Sequence, residues 1–324
     1  MGKLLKRLLV TAIVFQLIFL FSVSCYAKTK IRVAYIVDVN LTPFFVALNK
    51  GYFKKAGLDV EAKEFISGRD SYTALKAKDV DIHTNMGANA VAKFYTQGIG
   101  IIMIRAWTLP HFKILCRKDA PFKSLKDLIG KNYAVTSYAG TTFALSAMAF
   151  NALGIDFMKK VNIKTVPPSV MRVQLDKGAL DAVMLWQPHV YKMIKTGKYR
   201  ALADPGKIYQ DVFKKRFFHG ALGCQKAFFD KHRKAVRKYV DAIDKGIKFA
   251  LEHPKEANKI QASYMKGYTA DDIAAIRKSW GDGWIRNDIN EKQIEEMQFM
   301  YDQMVKYTKY FKVKPVAKEL MINP

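Results

Sequence analysis

Short apolar runs alternate with helical patterns along this chain, and the alternation is written twice. IRVAYIV (31–37) reads as a buried strand, and PFFVALNKGYFKKAG after it has helical apolar spacing that ends at Gly57. LDVEAKEF (58–65) is a second strand, closing at Ser67-Gly68. SYTALKAKDVDIHTNMG then reads as a helix, a short strand and a loop at Asn85-Met86-Gly87, before the buried strand GIIMIRAW (100–107). A β-α-β-α-β-α-β order predicts a parallel sheet with crossover helices, hence an α/β fold. HFKILCRKD (111–119) leads away from that sheet, and the pattern restarts. The spacing predicts a strand at 132–137, a helix at 141–153, a strand at 161–166, a helix at 168–177 and a strand in DAVMLWQP (181–188). HGALGCQKAFF (219–229) reads as a strand again, and 230–311 is amphipathic helix, with Pro254 opening a new one.

The chain thus enters one lobe, crosses to a second and crosses back. Expected boundaries are 28–115 plus 221–324 for lobe 1, including the C-terminal helices, and 116–220 for lobe 2. Residues 1–27 stand apart. Lys3, Lys6 and Arg7 precede an apolar run from Leu8 to Phe21, and Cys25-Tyr26-Ala27 approximates a small-x-small cleavage site. This is the pattern of a secretory signal peptide and predicts an exported, periplasmic protein. Lipid attachment at Cys25 is the second reading, because Ser22 stands where such motifs carry leucine.

Removing Lys3, Lys6 and Arg7 takes the formal charge from +26 to +23. That excess attracts anions and disfavours a cationic ligand. The lysines are scattered over helical faces, and export argues against nucleic acid as a partner. Cys116 and Cys224 are the cysteines left after cleavage. They read first as buried small hydrophobes, and second as a disulfide should the two crossover segments pair. No Cys-x-x-Cys, His-Glu-x-x-His or calcium-loop pattern occurs, so no metal and no cofactor is expected. Nor is there a nucleophile elbow, a phosphate loop or a paired-carboxylate motif, so no catalytic residue is assigned and an enzyme is not expected.

Ligands of open α/β sheets lie beyond the carboxyl ends of the strands, so two facing lobes predict a cleft between them. The segment YAVTSYAGTTFALS (133–146) is the sharpest case. A strand stops before Gly140, and Thr141 and Thr142 open a helix whose free N–H groups can hold an anion or merely be capped. Other candidates at strand ends are Thr42, Ser67, Asn85, Met86, Gly87, Trp107, Trp186, Gln187 and His219. Trp107 and Trp186 suit the walls of a planar ligand, with core packing as the alternative. His111 and His219 flank the two crossovers, where a hinge hydrogen bond is the simplest role. Arg69 and Arg105 are cationic candidates for an acidic group. Trp280 and Trp284 are expected to pack C-terminal helices.

TPFFVALNKGYFKKAGLDVE, KSLKDLIGKNYAVTSYAGTTFALSAMAFNALGI and VPPSVMRVQLDKGALDAVMLWQPHV together resemble the substrate-binding proteins of nitrate/sulfonate/taurine-type ABC importers. That group includes the branch that binds pyrimidine precursors of thiamine. The resemblance implies a type II, Venus-flytrap periplasmic-binding-protein fold that closes on a small molecule and presents it to a membrane permease, working as a monomer. In such relatives the turn matching Gly140-Thr141-Thr142 lies on the cleft, and the position of Gln187 often carries an acid. A neutral residue there would favour an anionic or neutral ligand if it faced the cleft. The expected ligand is therefore a small organic anion, a sulfonate or carboxylate; the alternatives are an aromatic heterocycle (a thiamine pyrimidine precursor or a flavin) and a soluble co-receptor role in sensing. A related enzyme makes the thiamine pyrimidine with a cysteine-rich iron-binding run, which this chain lacks.

Overall fold

The computed structural model describes Gly2, residues 28–138 and residues 140–324. The expected signal peptide at 1–27 therefore lies outside the described residues apart from Gly2. Among those described, no helix is long and apolar enough to cross a membrane.

Ten strands form two five-stranded sheets flanked by helices. The first holds β1 (Thr29–Ile36), β2 (Leu58–Phe65), β3 (Ile82–Gly87), β4 (Ile101–Thr108) and β10 (Gly220–Gln225), in the order β2-β1-β3-β10-β4. The second holds β5 (Phe112–Arg117), β6 (Asn132–Val135), β7 (Asn162–Thr165), β8 (Ala182–Trp186) and β9 (Tyr199–Ala203), in the order β7-β6-β8-β5-β9. The molecule is thus a two-lobed α/β protein.

Each sheet is parallel-rich, as the fold class implies, and carries one exception in the same place. β1 runs parallel to β2 and β3, and β6 parallel to β7 and β8. Into each sheet a strand adjoining a crossover is inserted antiparallel: β10 between β3 and β4, and β5 between β8 and β9. The insertion also corrects the loop expected at Asn85-Met86-Gly87. These residues complete β3, because Met86 and Gly87 pair with Ala221 and Gly220. The helix expected over 43–57 is two pieces, Thr42–Asn49 and Tyr52–Lys55, broken where Gly51 takes a left-handed φ of +66°.

One core lies under the first sheet, where Phe44, Phe45 and Phe53 pack with Tyr239 and Ile243 of the long helix Lys226–Glu252. A smaller one lies under the second sheet around Leu115, Met171, Val183 and Leu185. A third is continuous between the lobes, joining Met86 and Ala88 to Phe143, Met148 and Phe150 of the helix Thr141–Ala152 and to Met297 and Met300 of the helix Glu291–Tyr307. Burying each large apolar side chain contributes roughly 1.5–3 kcal/mol, so this shared core holds the lobes face to face. Cys116 on β5 and Cys224 on β10 are buried free thiols in different sheets, with burial raising the pKa of both. The reading as small hydrophobes fits this placement.

Candidate functional site

Two helices begin at the carboxyl ends of strands and meet across the lobe interface. Gly87 ends β3 and is the N-cap of the helix Ala88–Thr96; Gly140 is the N-cap of the helix Thr141–Ala152. Neither cap uses a side chain, and each helix start carries the partial positive charge of its N-terminus, although the Ala88 N–H is taken by the His219 carbonyl at 2.8 Å. The Thr141 hydroxyl donates to Asn89 Oδ1 at 3.1 Å, from one lobe to the other. A Cβ on Gly87 would stand 3.0 Å from both Asn89 Oδ1 and Thr141 Oγ1, so any side chain here crowds the contact that joins the helix ends. Asn89 Nδ2 donates to the Tyr310 hydroxyl at 2.6 Å, and the Gly87 N–H donates to the Tyr72 hydroxyl at 3.3 Å. Burial raises the pKa of both tyrosines, so they remain neutral donors and acceptors.

The other sequence candidates fall into three places. Gly87, Gly140 and Thr141 are at the meeting helix ends just described. Thr142 is buried beside them, but its Oγ1 accepts from the Thr136 N–H at 3.1 Å and bonds Thr136 Oγ1 at 2.9 Å, which fastens the helix to the end of β6. Asn85 clamps β1 through both ends of its amide, at Ile36 N and Ile36 O. Ser67 caps the helix Gly68–Lys76 by accepting from the Asp70 N–H. Thr42 is fully buried and donates to Val39 O at 2.8 Å. Met86 and Trp107 are core residues: Met86 is wholly buried against Gly223, and Trp107 donates to Thr84 O at 2.8 Å. Gln187 spends its amide within the protein, accepting from the Tyr191 N–H at 3.0 Å and donating to Ser279 Oγ at 3.3 Å. Arg105 is buried and paired with Asp244, Asp288 and the Arg286 carbonyl, a structural role, while Arg69 is exposed.

The third place is the hinge. His219 precedes β10, and its carbonyl accepts from the Ala88 N–H at 2.8 Å, so the return crossover ends against the first helix. Around it lie His111 at a ring distance of 5.2 Å and Phe112 at 4.6 Å. His111 Nε2 is 2.9 Å from Asp38 Oδ2 at the end of β1. Trp186 stands edge-on to His189 at 4.9 Å, and Trp280 is 5.3 Å from His111. Burial holds His219 neutral, with its pKa well below 6.5 and lowered further by His111. His189 is also lowered, by burial, against an opposing pull from Asp38. Trp284 stands edge-on to Trp280, but its indole donates to the Asn40 carbonyl at 2.8 Å and its backbone bridges to Thr108, while Trp280 reaches the hinge, so neither is confined to the C-terminal packing expected.

Asn89 and Asp38 each stand two residues past the end of a strand, β3 and β1, which is the position that marks a cleft residue in an open sheet. Tyr72, Tyr310 and Asp272 carry no local signal, since each contributes through contacts far along the chain. Asp272 joins the lobes at their outer edge, accepting from the Tyr191 hydroxyl and from Lys195, both at 2.7 Å. A surface hollow of about 250 Å³ beside this pair is lined by Lys192, Gly267 and Tyr268, away from the meeting helix ends.

The chain is 26% identical to the taurine-binding periplasmic protein of Escherichia coli over 275 residues, covering 78% of this chain and 80% of that one. Its fold is that of the periplasmic aliphatic sulphonate binding protein of Escherichia coli, with a TM-score of 0.77 at 16% identity over 91% of this chain and 92% of that one. The periplasmic nitrate-binding protein of Synechocystis PCC 6803 is also similar, with a TM-score of 0.69 at 16% identity over 90% of this chain and 84% of that one. The family model described as NMT1/THI5 like matches residues 38–257, from the carboxylate at the end of β1 to the helix after Pro254, and the chain belongs to that family.

Proposed function

We propose that this protein is the solute receptor of an ABC importer, that it captures a small organic anion of the sulfonate or carboxylate type between its lobes, and that it delivers this ligand to a membrane permease. The observation that carries the reading is the convergence of two uncapped helix N-termini, bridged by Thr141 and Asn89. Two helix N-termini meeting at one place favour negative charge more than either alone. Opening the lobes would free Asn89, Thr141 and these helix ends for a ligand; closing them around it would shift the equilibrium to the form that docks on the permease. The net positive charge helps draw an anion in. The likeness to taurine-, sulphonate- and nitrate-binding proteins points the same way.

The same reading places the mature protein in the periplasm after removal of residues 1–27, as a monomer without chemistry of its own. The lobes would comprise 28–115 plus 221–324 and 116–220. Titration calorimetry of the mature protein with taurine, an alkanesulfonate, a short carboxylate and nitrate tests the ligand class. Saturable binding of an organic anion is expected, with Gly87→Val weakening it at least about tenfold by keeping the helix ends apart. Failure of every organic anion to bind would overturn the anion assignment, and an aromatic heterocycle binding instead would move the site toward Phe112 and Trp186.

A further inference from the structure

At the base of the hinge, Asp38, His111 and His219 each offer a donor atom, and all three lie within 4.8 Å of one another. They come from three separate segments: the end of β1, the outgoing crossover before β5 and the return crossover before β10. All are nearly inaccessible, at 4%, 3% and 9% exposure. His111 Nε2 lies 2.9 Å from Asp38 Oδ2. A carboxylate only accepts, so without a metal this contact puts a proton on Nε2, and a metal seated between the two residues would take that proton's place. His111 Nδ1 is buried with no hydrogen-bond partner, and so is His219 Nδ1. Buried polar atoms without partners call for an explanation, and the one on His219 gains a partner if a metal stands among His219, His111 and Asp38.

We propose that Asp38, His111 and His219 form a site for a divalent transition metal, which ties the two crossovers to the first sheet. Metal–nitrogen bonds of about 2.1 Å require donor atoms within about 4.2 Å of each other, so side-chain shifts of less than about 1 Å bring this set into range. Imidazole with carboxylate suits zinc, cobalt or nickel rather than magnesium or calcium. Because the ligands span both crossovers, the metal would fix the hinge angle independently of whichever ligand occupies the helix ends.

The test is titration of untagged, chelator-treated mature protein with cobalt(II), followed by visible absorbance, and X-ray absorption of the zinc-loaded wild type. One equivalent of cobalt with an intense visible band is expected, and zinc with two imidazoles in its shell. His111→Gln and His219→Gln should each weaken cobalt binding at least about 100-fold, while His253→Gln, at an exposed helix junction, leaves it unchanged. Absence of stoichiometric binding, fewer than two imidazoles, or a band that survives both hinge substitutions would overturn the site. The zinc spectrum uses the wild type, so it decides even if the variants misfold. Taurine binding by the metal-free protein reports separately on the anion reading.

Discussion

The two sheets repeat one plan, and the repeat extends to single residues. Ala34 on β1 faces His83 on β3, and Ala134 on β6 faces Val183 on β8. Just before β3 and just before β8 an aspartate ties back to the neighbouring parallel strand, β1 or β6. Asp81 N donates to Arg32 O and Asp81 Oδ2 accepts from Arg32 N, both at 2.8 Å. Asp181 N donates to Asn132 O and Asp181 Oδ2 accepts from Asn132 N, both at 2.9 Å. What differs is what surrounds this frame. Lobe 1 adds a long C-terminal helix, an ion pair and a buried histidine; lobe 2 meets the same positions with backbone bonds and aliphatic side chains. A common backbone therefore does not imply common energetics, and substitutions at matched positions should separate the lobes.

The largest effect is expected where the added helix approaches most closely. Gly246 lies in the helix Lys226–Glu252, and a Cβ there would stand 2.1 Å from Pro43 O and 2.9 Å from Pro43 C. These are backbone atoms at the start of the helix Thr42–Asn49, which cannot swing aside as a side chain would. Gly246→Ala should destabilise by about 3 kcal/mol through overpacking, read as a lowered denaturant midpoint. A cost below about 1 kcal/mol would mean that the two helices are free to separate.

The matched aspartates come next. Asp81 also receives the Arg32 guanidinium, with Nε at 3.1 Å and Nη2 at 2.6 Å, whereas Asp181 makes only its backbone bonds to Asn132. Arg32 is partly exposed, which discounts the pair. Asp81→Ala should cost about 2–3 kcal/mol and Asp181→Ala about 1 kcal/mol. Equal losses in denaturant unfolding would show that the guanidinium adds nothing to the shared frame.

His83 has no titratable counterpart in lobe 2, where Val183 takes its place. Burial lowers its pKa from 6.5 to about 3. Between those values the unfolded chain binds a proton that the folded one does not, so stability rises with pH across that window and falls on acidification. His83 alone contributes a slope of about 1.4 kcal/mol per pH unit there. Thermal melts at pH 5 and pH 7 should lie closer together for His83→Gln than for the wild type. An unchanged separation would mean that His83 is already charged in the native protein.

These contrasts also mark what the sequence discloses. The apolar runs of β1, β4 and β8 and the restart after residue 130 are legible because buried strands and amphipathic helices have local periods. β9, YRALA, is missed because a short edge strand with a polar face has little pattern to read. The antiparallel insertion of β10 escapes for another reason: its partner β4 lies more than a hundred residues away, and pairing leaves no mark on either strand alone. The site divides in the same manner. Gly140 and Thr141 are visible as a strand-to-helix turn, but their counterparts Gly87 and Asn89 become a matching helix start only once the lobes face each other. Trp107 looks like a cleft wall because it ends a strand, yet its indole turns to the Thr84 carbonyl in the core.

The smallest effect belongs to the outer edge of the interface, where the lobes touch through polar groups. Asp272 accepts from Lys195 and the Tyr191 hydroxyl at 2.7 Å and from its own N-cap, the Thr269 N–H, at 2.9 Å. Lys195, foremost, together with these hydrogen bonds, holds the Asp272 carboxyl well below the usual carboxylate range. A depressed acid contributes its contact fully above its ordinary pKa of 3.8 and loses it only as pH falls through the lower folded value. The contact is thus intact at neutral pH and insensitive to pH between 5 and 7, where the His83 melts are compared. Lys195 is largely exposed, so salt and water weaken the pair. Asp272→Asn should accordingly change affinity for the anion proposed above by a few-fold at most, and less in high salt. A larger change would mean that the edge contact, rather than the convergent helix ends, sets the balance between open and closed lobes.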